Sequence, residues 1–299
     1  MCAAEFLVAQ IIYLVWEYNL GRMSKVKIFS KKLKISALLA FLVLMLTSCS
    51  FGVLDDKDTL KVGMECSYAP FNWIQPNSKN EAEKIAGGWY ACGYDVYMAQ
   101  EIAKKLGKKL EVVKIDWDGL LPALTSGKID AIIAGMSATE ERKKAIDFTD
   151  NYYSSDVVIV VKKSGRFSGA KSLKDFEGAK ITGQLSTVHY DFIDQIPGVN
   201  KETALEDFSS MVAAVNAGKI DGYISEKPAA LVAVHMNNSL ECIEFEKGKG
   251  FEFSQDETAI AIGVKKGSHL REEINLALGE ISEETRTNFM NKAIGGATF

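Results

Sequence analysis

Arg142 and Glu226 occupy matching places after a repeated string, and their opposite charges suggest a binding chemistry. "GKIDAIIAGMSATEER" fills residues 127–142, and "GKIDGYISEKP" fills residues 218–228. In each copy a helix-like stretch ends on glycine, Lys-Ile-Asp follows, then a short apolar run, then polar residues. The polar endings differ: the first supplies Ser137 and Arg142, the second Ser225 and Glu226. A guanidinium grips a carboxylate through two parallel hydrogen bonds, and a carboxylate accepts the N–H groups of an ammonium. If the two endings face one another, they suit a ligand that carries both groups close together, as an α-amino acid does. A plainer reading stands beside this one. Arg142 lies among Glu140, Glu141, Lys143 and Lys144, and such a run is usually a solvated helix face.

The elements that must position these residues alternate. "TLKVGM" reads as a buried strand and "YDVYMAQEIAKKLG" as a helix, with Met98, Ile102 and Leu106 on one stripe and Gly107 as its stop. "LEVVKI" is a strand, "GLLPALTSG" a short helix and "DAIIAGM" a strand. After Tyr152 and Tyr153 the pattern restarts. "VVIVV" and "AKITGQL" are strands, "DFSSMVAAVNAGK" is a helix, "DGYIS" is a strand, and "KPAALVAVHM" is a helix with Pro228 in its first turn. "TAIAIGV" is a last strand, followed by two helices near 269–281 and 284–293. The alternation predicts an α/β fold of two units, each a mostly parallel sheet flanked by helices. In such sheets ligands bind beyond the carboxyl ends of strands, where Ser137, Arg142 and Glu226 fall.

Composition narrows the class. The chain has 299 residues, 47% hydrophobic and 25% charged, which argues against disorder. Residues 1–48 carry six Lys and Arg against Glu5 and Glu17, so the net charge of −4 becomes about −8 for the remainder. An acidic body is a poor partner for nucleic acid. His189, His235 and His269 are scattered, and no His/Cys spacing suggests zinc. "KGKG" at 247–250 is too short for a phosphate loop, and no Ser or Cys nucleophile is paired with a His. No metal or cofactor is expected.

The basic front precedes "ISALLAFLVLML", residues 35–46. As a helix this run spans about 18 Å, short of a bilayer core. Its layout is that of a secretory signal. "LTSC", ending at Cys49, resembles the lipobox of bacterial lipoproteins and implies cleavage before Cys49 and a lipid on its sulfur, the alternative being a plain signal with an incidental Cys. Residues 1–22 read as an upstream start artefact with the true start at Met23; an extra membrane anchor is the alternative. Cys66 and Cys92 flank one loop, so a disulfide and two buried free thiols both stand.

Dense blocks of text carry a wider resemblance: "LKVGMECSYAPFNW", "GYDVYMAQEIAKKLGKKLEVV", "WDGLLPALTSGKIDAIIAGMSATEERKKAIDFTDNYY", "GQLST" and "GKIDGYISEKPAA". From Leu60 to about Ala293 the chain resembles the extracytoplasmic amino-acid-binding proteins of ABC importers, solute-binding protein family 3. The resemblance implies a two-lobed fold with two hinge crossovers, near 154–156 and 256–258. It divides the chain into a leader (1–48), a tether (49–57), lobe 1 (58–154 and 258–299) and lobe 2 (155–257). It assigns Arg142 and Ser137 to the ligand carboxylate, with Ala134 and Gly135 as main-chain contacts and Thr187 as a second-lobe carboxylate contact. Glu226, where the family usually has Asp, receives the ammonium. Tyr68 and Trp117 match the aromatic pair that sandwiches the ligand side chain; without the resemblance, Trp117 reads as a core aromatic. Glu65 matches an acidic position facing the side-chain pocket, and Gln184 contributes at the lobe 2 wall or plays a plain polar role near the hinge. Glu65 beside two aromatic faces favours a cation, arginine first, with glutamine or another polar amino acid as the alternative. The implied protein is a monomeric, lipid-anchored, extracytoplasmic receptor that delivers a free L-amino acid to permease subunits. A dehydratase-like enzyme on this fold, with Glu226 or Glu65 as acid–base group, is the alternative class. The stretch 74–93, with Trp89 and Tyr90, is longer than usual; covering the cleft, meeting a membrane partner and packing on its own lobe are all open to it.

Overall fold

A computed structural model describes residues 58–297, so the expectations for the leader, Cys49 and the tether lie outside the described residues. The chain opens with β1 (Thr59–Met64), then a small antiparallel sheet of β2 (Ser67–Tyr68), β3 (Asn72–Gln75), β4 (Glu83–Lys84) and β5 (Tyr90–Cys92). Helix α1 (Tyr94–Lys105), β6 (Lys109–Lys114), α2 (Leu120–Thr125), β7 (Ala131–Ile132), α3 (Glu140–Ala145) and β8 (Ile146–Ser154) follow. The second half runs through β9 (Val157–Lys162), β10 (Lys180–Thr182), α4 (Val188–Phe192), β11 (Asn200–Lys201), α5 (Phe208–Asn216), β12 (Gly222–Glu226), α6 (Lys227–Met236) and β13 (Leu240–Ile243). The chain then returns through α7 (Gln255–Thr258) and β14 (Ala259–Lys265) to α8 (Leu270–Gly279) and α9 (Glu283–Gly296).

Two five-stranded sheets form two lobes, in the orders β6-β1-β7-β14-β8 and β11-β10-β12-β9-β13. The pairings match position for position. In each sheet the first three strands are mutually parallel, and the fourth is antiparallel to both its neighbours. Four strands of five therefore run one way. The fourth places are filled by β9 and β14, the strands that begin just after the chain changes sheet. Val157, Val158, Ile159, Val160 and Val161 are all buried, as a strand covered on both faces requires.

The repeated "GKID" performs the same task in each lobe. Gly127 and Gly218 adopt φ of 78° and 67° just past α2 and α5, a region open to glycine at little cost. Lys128 N–H then donates to Ala123 O at 2.9 Å, and Lys219 N–H to Ala214 O at 3.0 Å. Asp130 N–H donates to Lys61 O and Asp221 N–H to Lys180 O, both at 2.8 Å. The same two carboxylates accept from Lys61 N–H and Lys180 N–H, again at 2.8 Å. Each Asp thus staples its helix exit to the first residues of the neighbouring strand.

The stretch 74–93 packs on its own lobe. Tyr97 Oη donates to Asn80 O at 2.9 Å, Gln100 Nε2 donates to Glu81 O at 2.9 Å, and Lys292 pairs with Glu81 at 2.7 Å. Cys66 and Cys92 are buried free thiols. No helix among the described residues is long and apolar enough to cross a membrane, and no metal-ligating cluster occurs among them.

Candidate functional site

The strand ends of the two lobes meet at a narrow cavity. It is lined by Tyr68, Gly135, Ser137 and Arg142 from the first lobe, with Trp117 at its rim, and by Gln184, Thr187, Glu226 and three further residues from the second. Arg142 comes from α3, whose first turn is capped by Thr139: its Oγ1 accepts Arg142 N–H at 3.3 Å. The guanidinium donates through Nη1 to Ser137 O and through Nη2 to Ser186 O, each at 2.9 Å. It lies 5.1 Å over the Trp117 ring. Desolvation brings its pKa down to about 10, so it stays charged near neutral pH.

Ser186 holds φ of 58°, a conformation uncommon for a residue with a side chain. That backbone presents its carbonyl to two donors of the other lobe, Arg142 Nη2 and Trp117 Nε1, the latter at 3.3 Å. Gly135 has φ of 62°, and a Cβ there would stand 3.0 Å from Tyr68 Cε1. Glycine is therefore required both by the turn and by the close aromatic ring. Thr187, the residue before α4, donates its hydroxyl to Gln184 O at 2.7 Å.

A buried chain of hydrogen bonds fixes the first-lobe wall. Cys66 N–H donates to Asn72 Oδ1 at 2.7 Å, Asn72 Nδ2 to Asp95 Oδ2 at 2.7 Å, and Tyr152 Oη to Asp95 Oδ1 at 2.6 Å. Gly135 N–H donates to Tyr152 Oη at 3.2 Å. Asp95 is wholly buried, which raises its pKa to about 6, with the Tyr152 and Asn72 bonds opposing the rise.

Two expected residues stand outside the lining. Ala134 packs with Leu120, Leu124 and Ile132 in the apolar cluster behind the wall. Glu65 sits behind Gln184, accepting from its Nε2 at 3.0 Å and from Ser67 Oγ at 2.8 Å. Burial raises its pKa. The aromatic arrangement also differs from a simple sandwich. Tyr68 stacks on Phe71 with centroids 4.9 Å apart and on Phe208 at 4.3 Å, while Trp117 faces Arg142.

Val188, His189 and Phe208 line the cavity without having been expected there. Phe208 opens α5 and reads in the sequence as one member of that helix's apolar stripe. His189 is the second residue of α4, a helix too short for periodicity to reveal its inward face. Its Nε2 lies 3.1 Å from Glu226 Oε1. Burial pushes Glu226 up to about 8 and, with the Arg142 charge, His189 down to about 4. Past Trp117, Arg142 and Ser186 the cavity meets a wider cleft whose wall includes Asp118, Glu140, Glu141, Asp191 and Glu257. Arg142 is the one basic residue on that wall among the described residues.

Known proteins share this fold. Residues 60–296 match the family described as bacterial extracellular solute-binding proteins, family 3. A probable histidine-binding protein of Campylobacter jejuni subsp. jejuni is 32% identical over 236 residues, covering 76% of this chain and 86% of that protein. The arginine-binding extracellular protein ArtP of Bacillus subtilis is 29% identical over 262 residues, covering 87% and 95%. An amino acid ABC transporter substrate-binding protein from Streptococcus pneumoniae, solved with L-arginine, superposes with a TM-score of 0.69 at 30% identity, covering 81% of this chain and 96% of that one. Two lobes that close on one cavity, in a chain matched across nearly all its described length, make this protein a member of the bacterial extracellular solute-binding proteins, family 3.

Proposed function

We propose that this protein captures a free L-amino acid with a basic side chain, arginine foremost, between its lobes and presents it to an ABC permease. The observation that carries this reading is that Arg142 and Glu226, from opposite lobes, line one cavity. The guanidinium receives the ligand carboxylate, assisted by Ser137 and Thr187, and Glu226 receives the ammonium. Closure follows because only the closed arrangement lets one ligand touch both lobes, so binding shifts the population toward it. The acidic cleft wall of Asp118, Glu140, Glu141, Asp191 and Glu257 favours a cationic ligand by focusing negative potential at the entrance. Relatives whose names state arginine or histidine binding support the same class.

Glutamine or another polar amino acid is the second reading, and the wall favours it in one respect: the Gln184 amide lines the cavity, while the Glu65 carboxylate that accepts from it does not. We read the protein as a receptor and not an enzyme, so a ligand recovered after long incubation is unchanged. We also hold that Cys49 carries the lipid that anchors the chain outside the membrane, a modification that mass spectrometry of protein from the native host would detect. A thermal-shift panel of the twenty amino acids tests the ligand class. Stabilisation by arginine, lysine or histidine is expected; a response to glutamine or acidic residues alone would overturn the basic assignment.

A further inference from the structure

Two residues of the first-lobe wall hold left-handed backbone: Cys66 at φ 60° and Gly135 at φ 62°. That region is sparsely populated for a residue with a side chain, and a glycine enters and leaves it freely. Neither turn therefore fixes itself. Both are held through their amides. Cys66 N–H donates to Asn72 Oδ1, and Asn72 Nδ2 donates to Asp95 Oδ2. Gly135 N–H donates to Tyr152 Oη, and Tyr152 Oη donates to Asp95 Oδ1. The two arms end on the two oxygens of one buried carboxylate. They meet again at the cavity. Tyr68, two residues past Cys66, sets its Cε1 3.0 Å from where a Gly135 Cβ would stand, and both residues line the cavity.

We propose that Asp95 is a positioning residue for ligand capture: its carboxylate, acting through Asn72 and Tyr152, sets Tyr68 and Gly135 at the spacing the amino acid meets. This rests on the reading that the cavity between the lobes holds a free amino acid. Every hydrogen bond in the two arms points toward Asp95, so both of its oxygens must accept. An asparagine there has one acceptor and one donor. If its nitrogen faces Tyr152, the phenol proton has no acceptor. If its nitrogen faces Asn72, that amide must turn over, and its own nitrogen then opposes the Cys66 N–H. One arm fails either way. The Tyr152 ring is held independently: Tyr94 stacks on it with centroids 5.8 Å apart and donates from Oη to Tyr152 O at 2.8 Å. Loss of the Tyr152 hydroxyl therefore cuts one arm and leaves the ring in place.

Calorimetry with L-arginine tests this on the intact protein, at denaturant-free conditions where each variant is folded. Tyr152→Phe is expected to weaken L-arginine by about fivefold or more, and Asp95→Asn by at least as much. The double variant is expected within about twofold of Tyr152→Phe alone, because the phenylalanine leaves no donor opposing the asparagine nitrogen and the Asn72 arm stays whole. Val112→Ala controls for a merely structural role. Val112 is buried on β6, at the edge of the same sheet, and outside both arms. Its truncation is expected to lower stability and to leave the affinity within about twofold. If Asp95→Asn does not fold, Tyr152→Phe and Val112→Ala decide the matter. Wild-type affinity in Tyr152→Phe would overturn the proposal, as would an equal loss in Val112→Ala or losses that multiply in the double variant. Wild-type protein that binds no free amino acid would instead sink the capture reading, and the Asp95 assignment with it.

Discussion

Glu226 and His189 share one proton differently in the folded and unfolded chain. Unfolded, they titrate near their ordinary values of 4.5 and 6.5; folded, near 8 and 4. Between pH 4.5 and 6.5 the pair holds one proton in either state. Above 6.5 the unfolded pair holds none, while the folded pair keeps one until about 8. The folded state then binds more protons, so stability falls as pH rises through that window. Below 4.5 the unfolded pair takes a second proton before the folded one does, and stability falls again. The melting temperature of the ligand-free protein is therefore expected to decline from pH 6.5 to 8, and Glu226→Gln to flatten that decline. An unchanged slope in the variant would show that the proton resides elsewhere. Arg142 gives the other residue-scale prediction. Arg142→Ala is expected to cost roughly 2–5 kcal/mol of amino acid affinity, as when one partner of a desolvated charge pair is removed; undiminished binding in calorimetry would reject the clamp.

The stapled exits of α2 and α5 make a symmetrical prediction at the scale of the element. Neither Gly127 nor Gly218 has an atom within 4 Å of a built Cβ, so substitution costs only the left-handed backbone. Gly127→Ala and Gly218→Ala should each destabilise by about 1 kcal/mol, with similar effects in the two lobes under chemical denaturation. Very different costs would show that the two joints are not equivalent. The Asp95 network is less forgiving. Asp95→Ala leaves Asn72 Nδ2 and Tyr152 Oη without their buried partner, and about 1–3 kcal/mol per orphaned group is expected in the same experiment. Much of this was legible. Apolar spacing gives α1, α5 and β9, and the glycines close their helices where periodicity ends. The short strands β2 to β5 carry too few residues for an alternation to register. His189 and Phe208 escaped for a related reason: they reach the cavity through the juxtaposition of lobes, which no local period encodes. Glu65 shows the converse. Its place near the pocket is real in chain terms, yet the Gln184 side chain stands in front of it.

The two lobes, seen as a whole molecule, touch through few polar contacts: Gln184 to Glu65, and Arg142 and Trp117 to the Ser186 carbonyl. A large apolar cluster also spans both, through the Tyr68–Phe208 stack. With polar ties this few, removing one of them is expected to shift the balance between open and closed lobes, the apolar contact remaining. Gln184→Ala is expected to raise the radius of gyration in X-ray scattering of ligand-free protein, and saturating L-arginine to bring it back toward the wild-type value. Identical scattering for variant and wild type without ligand would deny Gln184 that role. The order of strands along the chain also sets an order of manufacture. β14 sits between β7 and β8, yet its residues are made long after theirs. A nascent chain emerging amino end first completes every strand of the second sheet by Ile243, while the first sheet still has a gap at its fourth place. Until residues 259–265 arrive, β7 and β8 each show an unpaired edge, the kind of surface on which chains stick to one another. The lobe that bears Glu226 is thus ready first, and the lobe that bears Arg142 is sealed only once residues 259–265 have emerged.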